Sequence, residues 1–286
     1  MHAPDAHAGT PGKTAWRLAR IALLSYAFIC LLAGCASSKL IYHPRQRTPA
    51  EVDTEAKEAK MERWKDHEGR PLGMKRLTPG GVSDGIVLIL HGNGGTATAS
   101  SWYATMLQRH AKLDCYVLEY PGYEDLPGEP SRDSILSAVQ AGLRTLDESK
   151  PIYLVGESLG SGVAAALAGS HPDKISGLML LSPYQSLGDV AQSHFPWLPA
   201  RWLIRDNDFT SADYLRNYHG PVGMLVDGMD EVVPPACGHA LYAAYQGPKR
   251  IWEHPAGGHL ELGQDPDSFW ESVIHFWQAE PKSANK

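Results

Sequence analysis

From residue 86 onward, short continuous apolar runs alternate with segments whose apolar residues recur at helical spacing, and no other property of the chain constrains its fold as tightly. The strand candidates lie at 86–90, 115–120, 152–155, 178–181, 222–226 and 250–253, most of them continuous apolar runs. Unbroken apolarity is what a strand needs when both of its faces are buried. The clearest helical pattern between them begins after Ser131, a good N-cap, and aligns Ile135, Val139, Leu143 and Leu146 on one face. This alternation predicts an α/β fold, a mostly parallel sheet with helices on both sides, in which sites form at the carboxyl ends of the strands.

At 286 residues and 43% hydrophobic content the chain suffices for one large core, and neither an internal repeat nor a second domain is visible. The formal charge of −6 is mild and gives no footprint for a nucleic-acid partner. Ahead of the alternating region, MERWKDHEGRPLGMKRL at 61–77 reads as two extended halves around a Gly and Pro turn, a hairpin. TPAE at 48–51 supplies a capping box with proline at the first helical position, so a short helix is expected there as a spacer. Residues 281–286 read as a tail.

The first 35 residues look like export machinery. Lys13, Arg17 and Arg20 form a basic region ahead of a twelve-residue apolar run at 21–32, well short of the roughly 20 residues that span a bilayer as a helix. LAGCASS at 32–38 then resembles a bacterial lipobox, in which the cysteine is acylated and becomes the first residue. That resemblance implies a signal peptide at 1–34, a lipidated Cys35, a tether over 35–59, and a protein held on a bacterial envelope membrane, the outer one facing the periplasm in a Gram-negative cell. Two cysteines remain for the folded part, Cys115 in a predicted strand and Cys237 near a helix start, and they are expected to stay apart.

Two strings fit GxSxG, GVSDG at 81–85 and GESLG at 156–160. A random chain of this length and composition carries about 0.2 such matches, so context decides. GVSDG precedes a strand, which puts Ser83 at the amino edge of the sheet, in a structural loop. GESLG lies between the strand IYLV and the helix SGVAAALA, the strand–turn–helix setting in which a serine becomes an exposed nucleophile. Gly156 and Gly160 flank Ser158, as a turn that sharp requires.

LHGNGG at 90–95, EYPGY at 119–123, GESLG, DEVVP at 230–234 and GGH at 257–259 occur in the order found in the α/β-hydrolase family. The chain resembles in particular its small serine hydrolases related to serine aminopeptidases, lysophospholipases and acyl-thioesterases. The resemblance covers about residues 60–278 and implies a hydrolase domain over 60–280, with a Ser158 nucleophile and His259 as its base. Among 13 histidines, His254 is the main competitor, and His275 reads as a solvated helix position. For the acid, Asp230 is favoured by DEVVP, but only one residue separates it from Gly228 where the family usually has two, which leaves Asp227 open. The family pattern puts the oxyanion hole on the backbone amides of Leu159 and Asn93. A zinc site from His254, His259 and Glu261 is disfavoured because HExxH and paired CxxC spacings are missing, and neither metal nor cofactor is implied.

A stretch at about 183–220 occupies the family's usual cap position and is too short for a large lid. Phe195, Trp197, Leu198, Trp202 and Leu203 give it an apolar face, expected first to pack the cap onto the core and otherwise to line an acyl pocket or touch lipid. The expectation is a monomeric, lipid-anchored serine hydrolase of acyl esters or thioesters. Acyl transfer with the same residues and a non-catalytic envelope binding protein on the same scaffold are the alternatives.

Overall fold

The computed structural model describes residues 12–261 and 266–279, so the expected tail lies outside the described residues. Eight strands form one sheet, β1 (Glu62–Lys65), β2 (Pro71–Arg76), β3 (Gly85–Leu90), β4 (Leu113–Leu118), β5 (Ile152–Glu157), β6 (Ile175–Leu181), β7 (Val222–Asp227) and β8 (Lys249–His254). Their order is β1-β2-β4-β3-β5-β6-β7-β8. The hairpin β1–β2 pairs antiparallel and joins β4 antiparallel, while every pair from β4 to β8 is parallel. All six strand candidates therefore became strands, and the six parallel strands present their carboxyl ends at one edge.

The helices are α1 (Lys13–Cys35), α2 (Ser37–Ile41), α3 (Pro49–Glu58), α4 (Ser101–His110), α5 (Arg132–Leu143), α6 (Leu159–Ser170), α7 (Leu187–His194), α8 (Ala200–Leu203), α9 (Ser211–Tyr214), α10 (Pro235–Ala244) and α11 (Pro266–Ala279). Strand β3 shows why continuous apolarity was needed. Ile86, Leu88 and Leu90 pack in one core layer with Val139, Val163 and Leu241, and Val87 and Ile89 pack in another with Tyr103, Leu107 and Trp270. Cys237 belongs to the first layer and Cys115 to the second, on opposite faces of the sheet, and both thiols are free.

Three segments flank the sheet. The spacer helix forms as expected, Thr48 capping α3 with Glu51 closing the capping box, but it is not a spacer. Val52 and Ala56 are buried in the second core layer, and Tyr42 is buried with its hydroxyl donating to Asn207. Burial on this scale makes residues from about 42 onward part of the domain rather than a tether. The twelve-residue apolar run sits inside α1, a helix of 23 residues. At 1.5 Å per residue this is about 34 Å, enough for a hydrocarbon core of about 30 Å. Ala15–Cys35 is long and apolar enough to cross a membrane, and it is almost wholly unburied. The cap contains α7, α8 and α9 and packs inward along its length, with Tyr184, Val190, Phe209, Leu215 and Tyr218 in the core. Leu203 is buried and Leu198 half-buried, whereas Phe195, Trp197 and Trp202 are exposed.

Candidate active site

The elbow at Ser158 is built by two close approaches. Gly156 passes so near α6 that a Cβ there would lie 2.5 Å from the Gly160 carbonyl oxygen, and a Cβ on Gly160 would lie 2.0 Å from that of Leu90. Ser158 itself adopts φ 49°, ψ −113°, a conformation that costs a non-glycine residue about 1–3 kcal/mol. Three hydrogen bonds hold it there. Its amide donates to Leu181 O at 2.9 Å, and its own carbonyl accepts from the amide (2.9 Å) and the hydroxyl (2.6 Å) of Ser161. The next residue, Leu159, opens α6, and its amide is one of the helix-end donors that no intrahelical carbonyl satisfies.

Ser83 has the opposite setting. Its hydroxyl donates to Asp114 Oδ2 at 2.6 Å and accepts from Lys150 Nζ at 2.7 Å, a polar cluster just ahead of β3 at the amino edge.

At the carboxyl edge the loops after β7 and β8 are tied together. Gly228 N donates to His254 O and Met229 N to Gly257 O, each at 2.9 Å. This brings Asp230 to His259, with Nδ1 and Oδ2 2.7 Å apart. The other carboxylate oxygen accepts from the amides of Val232 and Val233, both at 2.8 Å. Burial raises the Asp230 pKa, but the His259 hydrogen bond and the two amides outweigh it and hold the carboxyl below its ordinary range. An ionised carboxylate only accepts, so the shared proton resides on His259 Nδ1 and leaves Nε2 the basic nitrogen. Among the described residues no hydrogen bond joins Ser158 Oγ to His259, and such contacts are often loose before substrate binds.

Asp227 and His254 form a second, looser pair, 3.6 Å between Nδ1 and Oδ1. Asp227 accepts from Ser182 Oγ only at 3.4 Å, and His254 Nδ1 lies closer to Glu261 O, at 3.1 Å. Burial, and then the charge of Asp230, push the Asp227 carboxyl up to about 6. His275 is exposed on α11.

The loop after β3 rests on a pair that sequence reasoning missed. His91 and Glu119 are both fully buried, with Nε2 2.9 Å from Oε1 and Nδ1 2.9 Å from Gly92 O. Burial opposes the charged ring, but the Glu119 carboxylate prevails and raises the His91 pKa. Glu119 also accepts from the amides of Ala97 (2.8 Å) and Tyr120 (3.0 Å), so one carboxylate fixes both ends of the 91–97 loop. The signal was present: Leu90 and Leu118 are partners in parallel register, so the residues that follow them must meet. Asn93 spends its side chain on the N-terminal segment. Its oxygen accepts from His43 N (2.9 Å) and Tyr123 Oη (2.8 Å), and its Nδ2 donates to Ile41 O.

The α/β-hydrolase fold model matches residues 85–235, from β3 through the acid loop. The chain belongs to the α/β-hydrolase fold family. The chain is 35% identical over 185 residues to an uncharacterised protein of Mycobacterium tuberculosis, spanning 63% of this chain and 64% of that one. It is 26% identical over 287 residues to the lysophosphatidylserine lipase ABHD12 of Danio rerio, covering 81% of this chain and 73% of the relative. Among solved structures, Est1E from Butyrivibrio proteoclasticus with ferulic acid bound superposes with a TM-score of 0.62 at 18% identity, over 75% of this chain and 97% of Est1E. The shared feature is the fold.

Proposed function

We propose that this hydrolase cleaves acyl esters or thioesters through a covalent acyl-enzyme, with Ser158 as nucleophile, His259 as general base and Asp230 behind it. The observation that carries this reading is the 2.7 Å bond from His259 Nδ1 to an Asp230 carboxylate, at the sheet edge where Ser158 occupies its strained elbow. Asp227 is set aside as the acid because its neighbour is His254.

In the first half-reaction Ser158 Oγ attacks the carbonyl carbon while its proton passes to His259 Nε2. Negative charge then develops on the carbonyl oxygen, facing the amides of Leu159 and Asn93. The tetrahedral species collapses as His259 returns the proton to the leaving alkoxide or thiolate. Water then attacks the acyl-enzyme with His259 again as base. Asp230 keeps Nδ1 protonated and balances the imidazolium. Because the Asn93 side chain already serves residues 41–43, only its backbone is available as a donor to substrate.

Helix α1 brings the protein to a membrane, either as a retained anchor or as a leader that ends at an acylated Cys35. Its length supports the first and the lipobox-like LAGC supports the second. The likeness to ABHD12, a lysophosphatidylserine lipase, is in keeping with an acyl-ester substrate. Hydrolysis of p-nitrophenyl esters from acetate to palmitate tests the proposal. The expected result is turnover that Ser158→Ala abolishes, and absence of turnover at every chain length would favour a non-catalytic role.

A further inference from the structure

The exposed aromatics of the cap lie beside the one segment suited to a membrane. Tyr26 of α1 donates its hydroxyl to Trp197 O at 2.9 Å, and Cys30 packs with Leu203 and Ile204. Between α1 and α8 lies a cavity of about 300 Å³ lined by Cys30, Leu31, Cys35, Trp202, Leu203 and Arg205. Along this side Phe195, Trp197 and Trp202 are 50%, 62% and 60% exposed. Large aromatics grouped on a surface mark an interaction site, and tryptophan favours the membrane–water interface. The Arg205 guanidinium, 4.9 Å above the Trp202 ring, adds a cation for anionic headgroups, part of its charge being offset by Asp206, which lines the same cavity with Oδ1 3.6 Å from Arg205 Nε.

The apolar surface continues toward the proposed site. His194, the last residue of α7, donates Nε2 to Val232 O at 2.9 Å and so pins the cap to the acid loop. Met229 and Val232 lie on either side of Asp230 there and are 65% and 52% exposed, with the exposed carboxylate of Glu231 between Asp230 and Val232. Both anchoring routes converge on this face. A retained α1 runs alongside the cap; where a leader ends before Cys35 the α1 wall of the cavity goes with it, and acyl chains on Cys35 would emerge beside Trp202 on the α8 side that remains.

We infer that the ridge formed by Phe195, Trp197 and Trp202 beds in the phospholipid bilayer entered by the anchor, so that the rim at Met229 and Val232 faces lipid and the substrate is an acyl lipid dissolved in the membrane. This rests on the proposed anchor and on Ser158 as nucleophile, and it adds the substrate's physical state and its side of entry. It also accounts for cap aromatics that do not pack onto the core.

The test uses the full chain in phosphatidylethanolamine and phosphatidylglycerol vesicles, with photoreactive p-benzoylphenylalanine in place of Trp197, of Trp202, or of Val82, a residue 70% exposed in the loop before β3. Lipid adducts about tenfold more abundant at 197 and 202 than at 82 are expected for side chains held in the interface. Adducts no more abundant than at 82, or cross-links to a second copy of the chain instead of lipid, overturn the inference. A chain that does not float with the vesicles overturns the anchor and the docking together. Fluorophosphonate labelling of the same vesicles reads Ser158 separately: labelling without lipid adducts overturns the docking alone, and adducts without labelling overturn the lipid-substrate half.

Discussion

Two aspartate–histidine pairs stand side by side after β7 and β8, and their differences teach more than either alone. His259 and Asp230 lie 2.7 Å apart, and both carboxylate oxygens of Asp230 are hydrogen-bonded. His254 and Asp227 lie 3.6 Å apart, and Asp227 Oδ1 is buried without a hydrogen-bond partner. The same residue types therefore sit in opposite electrostatic states: Asp230 is held below its ordinary range and Asp227 is pushed up to about 6. A satisfied carboxylate can orient and charge-balance an imidazole through a reaction cycle. An under-solvated one, burdened by its neighbour's charge, is a cost that the loop carries.

Substitutions at the four residues break or sharpen that contrast. Removing the base with His259→Ala is expected to lower kcat/KM by about 10⁴-fold, whereas His254→Ala leaves it within about threefold. Asp230→Asn follows at about 10³- to 10⁴-fold, because an amide can donate to Nδ1 and so favours the wrong tautomer. Asp227→Asn should change the rate by no more than about threefold. Steady-state ester hydrolysis by the four variants checks the whole order, and equal losses at Asp227 and Asp230 would erase the distinction.

The smallest effect is on stability. The Asp227 pKa in the folded state, about 6, lies above the unfolded value near 3.9, so the folded protein holds a proton between these limits that the unfolded chain has lost. Stability therefore falls as pH rises through this window and stays lower above it. Asp227→Asn removes that penalty and should stabilise the fold by about 1 kcal/mol at pH 8, allowing for solvent screening. The gain is much smaller at pH 4, where the aspartate is protonated in the folded state and about half protonated in the unfolded one. Urea midpoints for the two proteins at pH 8 and pH 4 measure it, and a constant difference would show that the pair's electrostatics are not responsible.

Much of the sheet was legible in the sequence because strands buried on both faces must be apolar throughout, as β3, β6 and β7 largely are, whereas the edge strand β8 is polar at Arg250 and Glu253 and only half-buried. The elbow at Ser158 was legible for a local reason, since strand, turn and small-residue helix are contiguous around it. Pairings that depend on loop geometry were not. Asp227 and Asp230 are three residues apart, and which one meets His259 is decided by the bond from Met229 N to Gly257 O. Nor did a polar stretch with one capped helix announce that Val52 and Ala56 would be buried, because two apolar residues do not reveal whether a complementary face exists elsewhere. The cap aromatics failed as a core prediction for a related reason: apolarity says that a surface needs covering, not by what.

The central claim is that Ser158 is the reactive serine of this elbow. Intact-mass analysis and peptide mapping after brief exposure to a fluorophosphonate test it directly. The prediction is one adduct per chain, located on Ser158, lost in Ser158→Ala and strongly slowed in His259→Ala but not in His254→Ala. Undiminished labelling of Ser158→Ala, on Ser161 or Ser182 for instance, would contradict it.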